Sequence, residues 1–409
     1  LNRRRPGQSS ITSPRNEPDR VEILSGVYLG RTLGTPICLL IRNVDQNPGA
    51  YKSVKTLFRP GHAGYTYLAK YGIHDYRGGG RSSGRETAGR VGAGAIARSI
   101  LSRRGVDIFA YTLEAAGVRA RTIDRSQIER NPMRCPDPAA AREMERRVSR
   151  LRKQGDSAGG IVEVVVRGCP PGLGDPVFDK LDATLARALM SIPAVKGFEI
   201  GSGFAAAKMK GSEHNDQLYV GKGPVIGRRR GTPGGVRTMT NNAGGILGGI
   251  SNGEEIVLRV AVKPPSSIAK RQRTVDLAGR SAPISVTGRH DPCICPRVVP
   301  VVESMVALVL ADHLVRQSLV RRAGPMAAIR KEIDLIDESI LALVAERQGM
   351  VRSIGRIKKH AKVKIEDPRR EKEILERLLA LADGTSLDTR LIKGMFSQIF
   401  RHAREIQKR

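Results

Sequence analysis

The spacing of apolar residues divides this chain into two parts. Val21–Val27 and Ile37–Arg42 are short, β-branched apolar runs bounded by Gly or Pro, and they predict strands. Gly105–Leu113, Ile161–Arg167, Pro193–Ile200 and Ile256–Val262 predict further strands, the second of them continuously apolar. Between them Ala88–Arg103, Ala139–Gln154 and Lys180–Ile192 read as helices, and Val298–Ser318 as an apolar helix. This alternation predicts a mixed α and β domain over residues 1–320. Arg321-Arg322-Ala323-Gly324-Pro325 is a linker by composition. Beyond it Met326, Ile329, Ile333, Ile336, Ile340, Leu343 and Val344 recur at steps of three and four. No breaker interrupts that pattern before His360, so it predicts a helix roughly 50 Å long at about 1.5 Å per residue. A helix of that length cannot be buried within so short a segment, and it calls for a partner chain. Asp367-Pro368 supplies an N-cap and an N1 proline for a second helix ending near Gly384, and Leu387–Gln407 forms a third. Residues 325–409 read as an all-α unit.

The richest local signal is Arg77-Gly78-Gly79-Gly80-Arg81-Ser82-Ser83-Gly84-Arg85-Glu86-Thr87, a loop entering a helix. Ser83 and Glu86 have the spacing of a capping box. Small residues at Gly84, Ala88, Gly89, Gly92, Gly94 and Ala95 give the helix faces for tight packing. Free amides at a helix start, with three arginines around them, form a ready anion site, and a phosphorylated ligand is the first expectation. Gln217–Thr240 is Gly-rich, carries Lys222, Arg228, Arg229, Arg230 and Arg237, and reads as a long mobile loop. Lys263 followed by Ser266 and Ser267 suits an anion or a polar ring edge. His62, on a turn beside Pro60-Gly61, can exchange a proton near neutral pH.

Composition widens the choice of partners before narrowing it. The net charge is +30 over 409 residues. That balance fits nucleic acid, and it fits equally a small, strongly anionic substrate drawn in by a positive field. Aromatics are 4 % with no Trp, so base-stacking platforms are sparse, and no zinc-finger or other nucleic-acid motif is present. Five scattered cysteines argue against a disulfide scaffold and for a reducing, cytoplasmic compartment. No metal-ligand spacing stands out, and no apolar run is expected to reach the roughly 18 residues of a membrane span. The first residue is Leu, so the natural start is expected upstream.

Six motifs, in this order, carry a resemblance. They are Arg3-Arg4-Arg5-Pro6-Gly7-Gln8-Ser9, Phe58-Arg59-Pro60-Gly61-His62-Ala63, the glycine loop from Tyr76 to Thr87, Ala243-Gly244-Gly245-Ile246-Leu247-Gly248-Gly249-Ile250, Lys263-Pro264-Pro265-Ser266-Ser267 and Gly288-Arg289-His290-Asp291-Pro292-Cys293. In these residues the first domain resembles chorismate synthase. The resemblance implies a β-α-β sandwich with helices between two antiparallel sheets, and a tetramer. It implies conversion of 5-enolpyruvylshikimate 3-phosphate to chorismate by 1,4-elimination of phosphate, with reduced FMN and with NADPH as a reductant. By motif, Arg81, Ser82, Ser83, Ala194, Gly248, Lys263, Pro264, Pro265, Ser266, Ser267 and Arg289 would hold the flavin. Arg4 and Arg85 would meet substrate anions, His62 would handle a proton, and Asp291 would help remove the C6 proton. The family's opening strand and Gly-Glu-Ser-His-Gly motif, a segment of about 40 residues, is absent from this sequence. Ser10 and Gly64 stand where the family has Arg and Asp.

The second unit resembles the all-α chorismate mutases. Arg330, Arg347, Lys358, Asp367, Arg370, Glu371 and Gln407 fall at that family's spacing. Arg347 and Lys358 share one helical face, whereas Arg330 lies about 100° away on the same helix. The resemblance implies an intertwined dimer in which a partner's Arg330 completes each site. Arg330 and Arg347 would clamp the two carboxylates of chorismate, Lys358 and Gln407 would bond the ether oxygen, and Glu371 would take the ring hydroxyl. Arg370 and Asp367 would support the pocket, and Ala403 replaces a frequent Ser. The expectation is a bifunctional enzyme making chorismate and rearranging it to prephenate. The rivals are mutase activity on an inert scaffold and a basic nucleic-acid-binding protein.

Overall fold

The computed structural model describes all residues except 74, 78–79, 221–234, 322–324, 362, 383–386 and 409. Side chains at 48, 50, 320–332, 334–335, 338–339, 342 and 408 also lie outside the description. The chain forms two compact units, Leu1–Ser318 and Leu319–Arg409.

The first unit is built on one antiparallel sheet. Its strands are β1 (Asp107–Ala115), β2 (Val118–Arg119), β3 (Gly160–Arg167), β4 (Val195–Ile200) and β5 (Ile256–Val262), in the order β2-β1-β3-β5-β4. The inward faces of β3 and β5, with Val162, Val164, Val166, Ile256, Leu258 and Val260, are fully buried. Glu163, which the sequence reading absorbed into an apolar run, lies on the opposite face of β3. Register sets Tyr111, Glu163, Arg259 and Glu199 side by side across four strands. Arg259 Nε lies 2.5 Å from Glu163 Oε2, and the Tyr111 hydroxyl donates to the same carboxylate. A buried carboxylate is tolerated when it is paired in this way.

The α-helices of eight or more residues that this unit contains or begins are α1 (Gly64–Tyr71), α2 (Thr87–Ser102), α3 (Pro138–Lys153), α4 (Leu181–Met190) and α5 (Cys295–Arg321). Asp137 caps α3 by accepting from the amides of Ala139 and Ala140. Ser83 does cap the turn, but by accepting from the Arg85 amide, and Glu86 does not complete the capping box expected. It pairs instead with Arg90 at 2.8 Å, because a 3-10 turn over Gly84–Glu86 precedes α2. The apolar-run expectation is also corrected. Cys295–Leu319 has the length and mean hydropathy, 1.9, of a membrane span, yet 72 % of that window is buried inside the unit. Pro300, Glu303, Asp312 and His313 interrupt the run and hid it in the sequence.

Helix α2 is a middle layer. Gly92 and Gly94 lie about 200° apart around it, on opposite faces. A Cβ on Gly92 would meet Leu39 of the ribbon formed by Val21–Ser25 and Cys38–Ile41. A Cβ on Gly94 would lie 2.3 Å from Ser304 Cβ of α5. The helix is thus held between a two-stranded ribbon and the core helix α5. Gln217–Thr240 is not all loop. Leu218–Val220 pairs with Val236–Thr238, and Arg237 reaches Glu254 at 3.3 Å. Lys222 and Arg228–Arg230 lie outside the described residues. All five cysteines are free thiols, four of them buried.

The second unit contains α6 (Pro325–His360), α7 (Pro368–Ala382) and α8 (Thr389–Lys408). Asp367 Oδ1 accepts from the Arg370 amide at 3.0 Å, and Asp388 caps α8 likewise. Helices α6 and α8 run parallel: Arg347 lies over Phe400, and seven residues later Gln407 packs on Gly355. Among the described residues of this unit, Val351, Ile392, Phe400 and Ala403 are the buried apolar side chains.

The layer argument predicts a contrast on α2. Gly94→Ala should destabilise the first unit by about 1–3 kcal/mol through overpacking against Ser304. Gly89→Ala, where nothing lies within 4 Å, should be neutral or stabilising by up to about 1 kcal/mol. Urea unfolding of the two variants checks this, and equal midpoints would refute the packing account.

Candidate functional site

Two loops more than two hundred positions apart are bracketed together at the Val262 end of β5. Lys263 Nζ donates to the Gly61 carbonyl at 2.7 Å and to Ser266 Oγ at 2.6 Å, and Ser266 Oγ bonds the same carbonyl at 2.7 Å. Gly61 sits at φ +68, with its hypothetical Cβ 3.1 Å from Ser266 Oγ, so the turn needs a glycine there. Arg59 Nη1 donates to Ser267 Oγ at 3.2 Å, and its Nη2 lies 2.9 Å from His62 Nε2. Pro265 is fixed by the Ser157 hydroxyl on its carbonyl, and Pro264 packs on Gly159. Ala194, in the left-handed region, accepts from the Lys263 amide at 2.9 Å. Burial first, then the like charge of Lys196, lowers the Lys263 ammonium from its ordinary value.

The segment Arg289–Asp291 joins this bracket to the N-terminal segment. Asp291 Oδ1 accepts from the Ser13 amide at 2.8 Å, and its Oδ2 lies 2.5 Å from Arg297 Nη1. Arg289 holds both oxygens of Asp45 at 2.7 Å, and the Ser13 hydroxyl donates to its carbonyl. The Arg289 guanidinium holds the Asp45 carboxyl below the usual carboxylate range. His290 stands between the two groups. Burial, then the charge of Arg59, pushes its imidazole below the ordinary value, and its Nε2 is buried without a hydrogen-bond partner. Sequence reasoning assigned nothing to His290 or Asp45. The signal for His290 was present inside the Gly288–Cys293 motif; nothing in its surroundings marked Asp45.

Arg4 and Arg85 are placed differently from expectation. Arg4 is 3 % exposed, and its donors reach Asp19, Thr87 and the Gly84 carbonyl at 3.1, 3.1 and 2.7 Å. Burial, then the charge of Arg297, pulls Arg4 down to about 10. Arg85 lies 2.5 Å from the other oxygen of Asp19 and donates to the Arg42 carbonyl. Both arginines brace the glycine loop around a buried carboxylate rather than standing open. Arg81 and Ser82 form the 3-10 turn Gly80–Ser82 next to it, with Ser83 following as the cap; Gly78 and Gly79 lie outside the described residues. Gly248 does not join the group. It occupies the turn between Ile246–Leu247 and Ile250–Ser251, beside the Ile256 end of β5. Lys263 follows the other end, about 20 Å away at ~3.3 Å per residue.

In the second unit, Arg347 and Gln407 lie where α6 meets α8, and Lys358 follows near the end of α6. The Arg347 guanidinium lies 5.8 Å from the Phe400 ring centroid. Lys358 Nζ donates to the Ile365 carbonyl at 2.8 Å, which leaves further ammonium donors for a ligand. Gln407 Oε1 is buried and has no hydrogen-bond partner. Glu371 takes Arg404 at 2.8 Å, a partner that sequence reasoning missed. Arg370 points to Glu373, and Asp367 serves as a helix cap. Arg330 lies within α6, and its side chain is outside the description.

Residues 1–315 match the family model for chorismate synthase, and residues 329–408 match the model for chorismate mutase type II. The chain is 56 % identical over 325 residues to the chorismate synthase of Methanosarcina mazei, covering 78 % of this chain and 86 % of that protein. It is 57 % identical over 321 residues to that of Roseiflexus castenholzii, covering 78 % and 87 %. A solved crystal structure of chorismate synthase aligns with a TM-score of 0.55 at 30 % identity, covering 78 % of this chain and 84 % of that one. The chain belongs to the chorismate synthase family and continues, in the same polypeptide, into a chorismate mutase type II domain.

Proposed function

We propose that the first unit forms chorismate from 5-enolpyruvylshikimate 3-phosphate at the Lys263 bracket, and that the second rearranges it to prephenate. The observation that carries the first half is the convergence of Arg59, His62, Lys263, Ser266 and Ser267 on one turn. Their chemistry fits a flavin phosphate and a polar ring edge: two cations, two hydroxyls and a glycine turn that lets a ligand approach the backbone. Arg81, Ser82, Ser83, Ala194 and Arg289 would extend that surface, and Gly248 would reach it from another protomer. Reduced FMN, with NADPH as reductant, would supply the electron-rich ring that the elimination needs without net redox change. The chain's own residues do the rest. Arg289 and Arg85 each hold a carboxylate, so an incoming trianion meets cations already oriented and takes over part of their bonding. Fixed positive charge stabilises phosphate as it leaves C3. Asp291, held by Ser13 and Arg297, presents a fixed carboxylate for the proton lost from C6. His62, bonded to Arg59, can carry a proton on the neighbouring side.

The mutase half rests on Arg347, Lys358 and Gln407 lying on one wall. Chorismate must be held diaxially, and Arg347 with a partner's Arg330 would clamp its carboxylates. Lys358 and Gln407 would donate to the ether oxygen as its charge grows, and Glu371 would accept from the ring hydroxyl. Ile336, Ile340, Leu343, Met350, Ile354 and Ile357 are 43–66 % exposed and fall within about 100° around α6. A second copy covering this stripe would add to the few buried apolar side chains among the unit's described residues. We place the enzyme in the cytoplasm as a homo-oligomer, tetrameric through the first unit and an intertwined dimer through the second.

Two outcomes are expected. Under anaerobic conditions the full chain with reduced FMN should release phosphate from 5-enolpyruvylshikimate 3-phosphate, and Arg59→Ala should weaken flavin binding about tenfold. Conversion of added chorismate with no phosphate release would leave the mutase half alone standing. Gln407→Glu should lower mutase kcat/KM about 100-fold at pH 7.5, because a carboxylate repels the developing oxyanion. Part of the rate should return toward pH 5, as the carboxyl regains its proton and can donate. A rate that does not change with pH would remove Gln407 from the ether oxygen.

A further inference from the structure

Helix α8 presents Phe400, Ala403, Arg404 and Gln407 at steps of three and four, hence on one face. Phe400 and Ala403 are buried, Phe400 lies beneath Arg347, and Gln407 packs on Gly355. Arg404 therefore stands one turn from Gln407, on the wall already assigned to the mutase site. Its Nη1 is 2.8 Å from both carboxylate oxygens of Glu371, in the first turn of α7. The two side chains are 33 % and 28 % exposed, so the pair is partly shielded from solvent. The arginines next to Glu371 in sequence do not compete for it: Arg369 and Arg370 both reach Glu373, at 3.4 and 3.3 Å.

We infer that Arg404 is a positioning residue of the mutase, holding the Glu371 carboxylate toward the ring hydroxyl and offsetting its charge. The inference rests on the mutase reading and on Glu371 as acceptor of that hydroxyl. The substrate is a dianion, so a carboxylate brought against it is repelled and turns to solvent unless a cation fixes it. A carboxylate has about four lone-pair positions. Arg404 takes two through a single nitrogen, which leaves the others to accept the hydroxyl. The Glu371 bond exists in bound substrate and transition state alike, so its loss should appear mainly in KM.

A double-mutant cycle on the full chain tests this, read as initial rates of chorismate consumption. Arg404→Ala should raise KM about tenfold with a smaller change in kcat, and Arg404→Lys should recover part of it. Glu371→Gln should cause a comparable loss, and adding Arg404→Ala to it should cost no more than about a further twofold. Arg404→Met, which keeps the packing stem, replaces Arg404→Ala in the cycle if the latter loses helicity by circular dichroism. The inference is overturned if the loss from removing Arg404 is the same factor in both backgrounds, or if KM does not move. Arg347→Ala separates the two levels of failure. If that variant keeps full activity, the mutase reading falls and this inference with it. If it abolishes activity while the cycle is additive, the inference alone falls.

Discussion

Asp19 and Glu17 have no exposed side-chain surface, and much of the first unit is arranged around the need to pair them. Arg4 and Arg85 close on Asp19, while Arg15 and the amides of Val44 and Asp45 close on Glu17. A carboxylate removed from water without such partners would be strongly destabilising. The same rule holds at Glu303, which takes Arg3, Arg98 and the Ala110 amide, and at Glu163 between Tyr111 and Arg259. In a chain with 70 basic and 40 acidic residues, the scarce buried acids decide where particular arginines stand.

Much of this was legible beforehand, for physical reasons. Strands with β-branched runs, such as Ile256–Val262, and helices with a cap, such as the one Asp367 begins, announce themselves locally. The motifs around Gly61, Lys263 and Asp291 could be read because their residue types match anion chemistry, and the fold gathers them at one end of β5. What could not be read was non-local. Arg4 looks like any surface arginine until Asp19, fifteen positions on, is seen buried beneath it. Gly248 stands in a motif as distinct as the others, but only strand length reveals that it lies at the far end of the sheet. Arg404 and Glu371 are 33 positions apart on different helices, beyond any local spacing rule.

The two units reach their sites by opposite means. The first draws on a large continuous core, and its loops are held by bonds within one chain. The second has, among its described residues, few buried apolar side chains and an exposed stripe along its longest helix. The chemistry proposed for it is correspondingly a matter of charge and shape, with no nucleophile among Arg347, Lys358, Glu371 and Gln407.

The Lys263–Gly61 bracket spans 202 positions, and the Ser13–Asp291 bond spans 278. During synthesis the opening residues emerge long before their partners. Arg59, His62 and the Ser13 turn must wait, unbracketed, until the ribosome has delivered nearly the whole unit. Loops closed over such separations form late, after the entropy of bringing their ends together has been met by the sheet and α5. The Lys263 end of the sheet is thus a report on completed folding, and a nascent or internally broken chain would present these loops unjoined.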